Sequence, residues 1–162
     1  MAWKTTSRYC MFAIVLFTMV VASACGGGVV DSGVGNLTQG RWGHTATLLE
    51  NGHVLVTGGH GIPSTSLTSA EVYDPSANAW SSAGDMTDKR ADGHTATLLS
   101  DGKVLVIGGK KTPDLYDPSA NSWSTVALLN HPRMSHTATL LDDGRVFVTG
   151  GRDMTKAGES KL

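Results

Sequence analysis

Three stretches of this chain are near copies of one another, and nothing else in it constrains the fold as much. GHTATLLENGHVLVTGG (43–59), GHTATLLSDGKVLVIGG (93–109) and SHTATLLDDGRVFVTGG (135–151) align without gaps. Their histidines, His44, His94 and His136, stand 50 and 42 residues apart. A second block recurs as EVYDPSANAW (71–80) and DLYDPSANSW (114–123). The connection between the two blocks varies, running from Gly59 to Tyr73 in the first unit but only from Gly109 to Tyr116 in the second. Blocks of fixed length joined by variable connections are what a stack or ring of similar units produces.

Each block reads as strands. HTATLL leads into Asn51-Gly52, Asp101-Gly102 or Asp143-Gly144, residues that tolerate positive φ and suit a tight hairpin. The β-branched run that follows ends at Gly58-Gly59, Gly108-Gly109 or Gly150-Gly151. A short strand through Tyr73 or Tyr116 then turns at Asp-Pro-Ser-Ala-Asn and returns through Trp80 or Trp123. Proline after Asp presets that turn, and Asn near its far end can close it. Two successive hairpins make a four-stranded antiparallel meander of 42–50 residues, the size of a propeller blade.

The order Arg-x2–3-His, hairpin, Gly-Gly, Tyr-Asp, Trp resembles the kelch repeat, over residues 41–151. The longer form HTATLL-DGKVLVTGG is similar to the repeats of galactose-oxidase-like proteins. The resemblance implies an all-β fold, an incomplete kelch-type β-propeller with two full four-stranded blades plus half of a third. The units run at about 41–90, 91–132 and 133–151, followed by a polar tail to residue 162.

The repeated positions have structural readings first. Tyr73/Trp80 and Tyr116/Trp123 are one pair used twice, expected to pack blade on blade, with an exposed ligand-stacking platform as the alternative. Asp74 and Asp117 belong to the turns. Gly58, Gly59, Gly108, Gly109, Gly150 and Gly151 suit backbone that a Cβ would block, and no helix N-terminus is expected after them as in a phosphate loop. His44, His94 and His136 fall on successive blades. Face-packed sheets lie about 10 Å apart and zinc needs donors about 2.0–2.1 Å away, so no shared metal site and no cofactor is expected. His53, His60 and His131 do not repeat and read as surface or loop residues. The catalytic galactose-oxidase-like members use copper with Tyr and His ligands and a Cys cross-linked to a Tyr. Here Tyr73 and Tyr116 sit in the repeat, and one cysteine, Cys25, remains after the N-terminal segment. No position suits the cross-linked Cys, and no catalytic constellation is expected.

The N-terminus is an export signal by pattern. Residues 1–10 carry Lys4 and Arg8 and no acid; residues 11–21 are apolar apart from Thr18. That run is too short for a spanning helix, which needs about 20 residues. Ala22-x-Ala24 is a signal-peptidase exit, and Val-Ala-Ser-Ala-Cys followed by three glycines resembles the lipobox of bacterial lipoproteins, with Ala22 where Leu is commonest. The expected layout is a signal peptide over 1–24, a lipid-anchor Cys25 with a Gly-rich tether over 25–40, and repeats over 41–162; ordinary secretion is the alternative. The resemblance and Gly26 imply an outer-membrane lipoprotein held to the membrane by its lipid.

After removal of residues 1–24, 11 basic residues face 14 acidic ones. That balance argues against a nucleic-acid partner bound through phosphates. Propellers close with four to eight blades, and residues 41–162 supply fewer than three. Three readings stay open: a fragment, several copies in one ring, or another kelch chain that completes it. The function expected is a non-catalytic binding module tethered to the cell envelope and showing loops such as 60–70 and 84–92 to a protein or glycan. The alternative is the N-terminal part of a larger secreted galactose-oxidase-like or carbohydrate-active enzyme.

Overall fold

The computed structural model describes residues 35–153 except Asp92 and Leu128. The expected signal peptide, Cys25, most of the tether and the tail from residue 154 lie outside the described residues. The described chain is all-β and holds three antiparallel sheets. The first runs β1 (Thr45–Leu48), β2 (Val54–Thr57), β3 (Ser69–Asp74) and β4 (Ala79–Asp85), in that spatial order. The second repeats it with β5 (Thr95–Leu98), β6 (Val104–Gly108), β7 (Lys110–Asp117) and β8 (Ser122–Thr125). The third pairs β9 (Arg133–Leu140) with β10 (Val146–Asp153). These are the two full blades and the half blade that the repeats predict.

Local chemistry sets each turn. Gly52, Gly102 and Gly144 have φ near +80°. Their amides donate to Leu49, Leu99 and Leu141 carbonyls at 2.9–3.0 Å. The Asn51, Asp101 and Asp143 side chains accept the amide two residues on at 3.0–3.2 Å. At the other hairpin, the Asp74 carboxylate accepts the Ser76 amide and hydroxyl at 2.7 and 2.6 Å, and Asp117 treats Ser119 alike. Those bonds, led by the serine hydroxyl in each case, hold both carboxyls below their ordinary pKa. The Tyr73 and Tyr116 hydroxyls close the turns by donating to Asn78 and Asn121, which sit in the left-handed region.

Alternation along the inner strands turns apolar side chains of one blade toward its neighbour. Leu55 and Val72 are cross-strand partners on the first sheet, and they share a core with Val104, Val106 and Tyr116 of the second. Trp123 packs on that core from the edge. Full burial of such a side chain stabilises by about 1.5–3 kcal/mol, so the interface between blades is the core. Because the strands alternate in direction, 58–68, 86–94 and 109 gather at one end of the sheets. The Asn-Gly, Asp-Gly and Asp-Pro-Ser turns gather at the other.

Candidate functional site

Most of the repeated residues are spent holding one blade to the next. Trp123 Nε1 donates to the Ala83 carbonyl at 2.7 Å, reaching from the second blade to the first. Trp80 Nε1 donates in the same way to the Gly35 carbonyl. Each Trp also lies against its cross-strand Tyr, at 5.1 Å between ring centroids in the first blade and 5.0 Å in the second. Burial, then the nearby Asp117 charge, pushes the Tyr116 hydroxyl pKa up.

The histidines act across the same gap. His94 is buried; its Nδ1 lies 2.8 Å from the Ala91 carbonyl, and its Nε2 lies 3.2 Å from the Thr45 hydroxyl and 3.1 Å from the Thr57 carbonyl, both on the first blade. A neutral ring carries one N–H, so it donates to only one of the Ala91 and Thr57 carbonyls and turns a lone pair toward the other. His136 Nε2 lies 2.9 Å from the Thr95 hydroxyl of the second blade, and its buried Nδ1 has no partner. Burial is the largest influence on both rings and lowers their pKa; backbone carbonyls oppose it at His94 only. His44, first of the series, is exposed. Among the described residues, no group of three His, Cys, Asp or Glu side chains could hold a metal ion.

One constellation escapes a reading of the repeats alone. Arg90 and Asp114 meet at 2.5 Å with neither side chain exposed. Asp114 also accepts the Thr87 amide and hydroxyl at 3.0 and 2.6 Å, and Arg90 donates onward to the Gly108 and Thr112 carbonyls. The first blade repeats the set with Arg41, Glu71 and Thr38. Burial works to raise the Glu71 pKa, but bonds from the Thr38 hydroxyl and amide, from Arg41 and from the Gln39 amide outweigh it, so the carboxyl stays below its usual value. The signal was present: an acid two residues before each repeated Tyr, and an Arg three or four residues before each repeated His.

Exposed apolar side chains are spread over the surface, Leu48 and Phe147 among them, and Trp42 and Ile62 are the two that stand at the loop end. The two expected display loops are joined: Leu67 donates its amide to the Gly59 carbonyl, Arg90 to Leu67, Met86 to Thr68, and Gly59 to Arg90. The Trp42 ring stacks on His60 at 4.3 Å and remains half exposed, and Ile62 stands almost wholly in solvent. A cavity of about 260 Å³ opens at the same end, lined by Ser66, Lys89, Gly108, Lys110 and Met134.

The family model described as Kelch motif matches residues 51–87. The chain carries a kelch motif over those residues. A stretch of 30 residues is 63% identical to an F-box/kelch-repeat protein of Arabidopsis thaliana, covering 18% of this chain and 8% of that protein. The chain therefore spans a small part of the length of that relative. Across the repeated units, His94, His136, Tyr116 and Trp123 join one blade to the next, and the fold is an incomplete kelch-type propeller.

Proposed function

We propose that this chain is a non-catalytic interaction module, exported and tethered to the cell envelope through Cys25, that binds a protein partner with the loop end of its blades. One observation carries the reading. The loops expected to be displayed, 60–70 and 84–92, are bonded together at one end, where Trp42 and Ile62 are exposed. Exposed aromatic and aliphatic side chains on a rigid base are the usual anchors of a protein interface. The matched kelch motif adds to this, since such repeats mediate protein interactions.

A photo-cross-linking residue at position 62, against one at position 76 in the opposite turn, tests the binding face in cells that make the full chain. Adducts from position 62 alone are expected; equal adducts from both positions, or none, overturn the reading. The intact mass from the membrane fraction tests the anchor. Residues 25–162 with a lipid adduct are expected, and residues 25–162 without one overturn the tether.

A further inference from the structure

Cavities at the two ends of the sheets carry opposite charge. At the turn end a cavity of about 320 Å³ is walled by Glu50, Asp101 and Asp117 with one cation, Lys103, which lies 3.1 Å from Asp101. At the loop end the cavity of about 260 Å³ is walled by Lys89 and Lys110, with Ser66, Ala91 and Met134 beside them, and among the described residues no acid lines it. Arg41, Arg90, Lys103 and Arg145 each hold a carboxylate at 2.5–3.1 Å. Lys89 and Lys110 form no ion pair among the described residues.

The repeat itself carries this polarity. The residue after each double glycine is basic, as His60, Lys110 and Arg152 in turn. The loop-end cavity also adjoins the exposed aromatic ring. Trp42 and His60 exchange both backbone bonds, at 3.0 and 2.8 Å, and His60 is bridged in turn to Ser66 on the cavity wall. The ring stack and the cavity therefore share one stretch of backbone. A phosphate cradle would need backbone N–H groups turned inward, but the Gly109 amide on this wall is already given to the Arg133 carbonyl. Two flexible ammonium point charges with Ala91 and Met134 as apolar wall suit a carboxylate carried on methylenes.

We infer that the loop-end cavity takes a carboxylate side chain from an acidic segment of the protein partner. The inference rests on the loop-end reading and adds the charge of the partner to it. Two ammonium groups on one cavity wall repel each other, and a carboxylate between them relieves that repulsion. The acids of the turn end repel the same segment, so charge decides which end the partner meets.

A fluorescein-labelled oligoglutamate peptide is the probe, with oligoglutamine of the same length as its neutral control. Fluorescence anisotropy with the full chain should show saturable binding of the acidic peptide alone, weakening as salt rises. Lys89→Ala and Lys110→Ala should each weaken it about two- to fivefold, the range for a solvent-facing ion pair. Lys110→Glu should weaken it further, and Lys103→Ala at the turn end should leave it unchanged. No saturable binding, equal binding of both peptides, or an equal loss from Lys103→Ala overturns the inference. Full displacement by equimolar inorganic phosphate also overturns it, by making the cavity a phosphate site. The comparison of peptides leaves the chain untouched, so it stands whatever the lysine variants do to folding. Peptide binding without adducts from position 62 would remove the partner and keep the carboxylate site. Adducts from position 62 without peptide binding would remove the carboxylate site alone.

Discussion

Arg90 and Asp114 form a fully buried pair that ties the loop before β5 to strand β7. Every oxygen of the carboxylate is engaged, two bonds coming from Thr87 and two from Arg90. Asp114→Ala would strand a buried guanidinium and should cost about 3–5 kcal/mol. Replacing both partners with apolar residues, Arg90→Met with Asp114→Leu, should cost clearly less than either single change to Ala. Urea unfolding of the single and double variants measures this coupling, and equal, additive losses would show that the two side chains act independently.

The buried histidines predict an acid-labile stack. Both His94 and His136 have folded pKa values below the unfolded one of about 6.5. The unfolded chain therefore binds the extra protons first, and stability is complete above about pH 6.5 and falls as pH drops toward the folded values. Arg90 and His44 act on His94, and Arg133 and His94 on His136, each against a protonated ring, while the Ala91 and Thr57 carbonyls favour protonation at His94 alone. Glu71 acts lower on the scale. Its depressed pKa stabilises above the unfolded value, near 4.3 for a free Glu, and that contribution is lost as pH falls through the folded value. Melting temperature against pH should show two separate losses, and His94→Gln with His136→Gln should flatten the upper one.

Gly59 and Gly52 separate two reasons for a glycine. Gly59 has φ +89°, and a Cβ there would sit 2.6 Å from the Trp42 carbonyl and 3.0 Å from the His44 amide. Gly52 has φ +82° with nothing within 4 Å. Gly59→Ala meets both strain and backbone, so a loss of about 1–3 kcal/mol or more is expected. Gly52→Asn meets strain alone, in a residue that tolerates it, and should cost under about 1 kcal/mol. Thermal melts of the two variants decide; equal losses would mean that φ, not the close approach, sets the requirement at Gly59.

Strands, hairpins and turns were legible in this chain because each depends on neighbours in sequence: Asn51 with Gly52, Asp74 with Ser76, Tyr73 with Asn78. The ion pairs were not, since Arg90 lies 24 residues from Asp114 and Arg41 lies 30 from Glu71, and one unit uses Asp where the other uses Glu. The end of the expected tether was also hard to read. Gly35-Asn-Leu-Thr-Gln-Gly-Arg41 matches Gly84-Asp-Met-Thr-Asp-Lys-Arg90 position by position, but the six glycines and the lack of an aromatic over 26–40 give the whole stretch the look of a linker. In the folded chain these residues lie against the first blade as 84–90 lie against the second.

That match leads to a prediction about residues 35–40. Thr38 gives its amide and hydroxyl to Glu71 at 2.8 and 2.6 Å, as Thr87 does to Asp114, and the Gln39 amide adds a third bond. Trp80 and Asn78 hold the Gly35 backbone from the other side. A passive tether would tolerate any polar residue at position 38. Thr38→Ala should instead remove the hydroxyl bond and cost about 1.5–3 kcal/mol, the range for a bond to a charged group. It should also raise the Glu71 pKa toward the unfolded value, so the lower acid loss becomes smaller and ends at a higher pH while the histidine loss stays in place. Thr38→Ser, which keeps the hydroxyl, should restore most of the stability. If Thr38→Ala melts like the parent across the whole pH range, residues 35–40 are a linker after all.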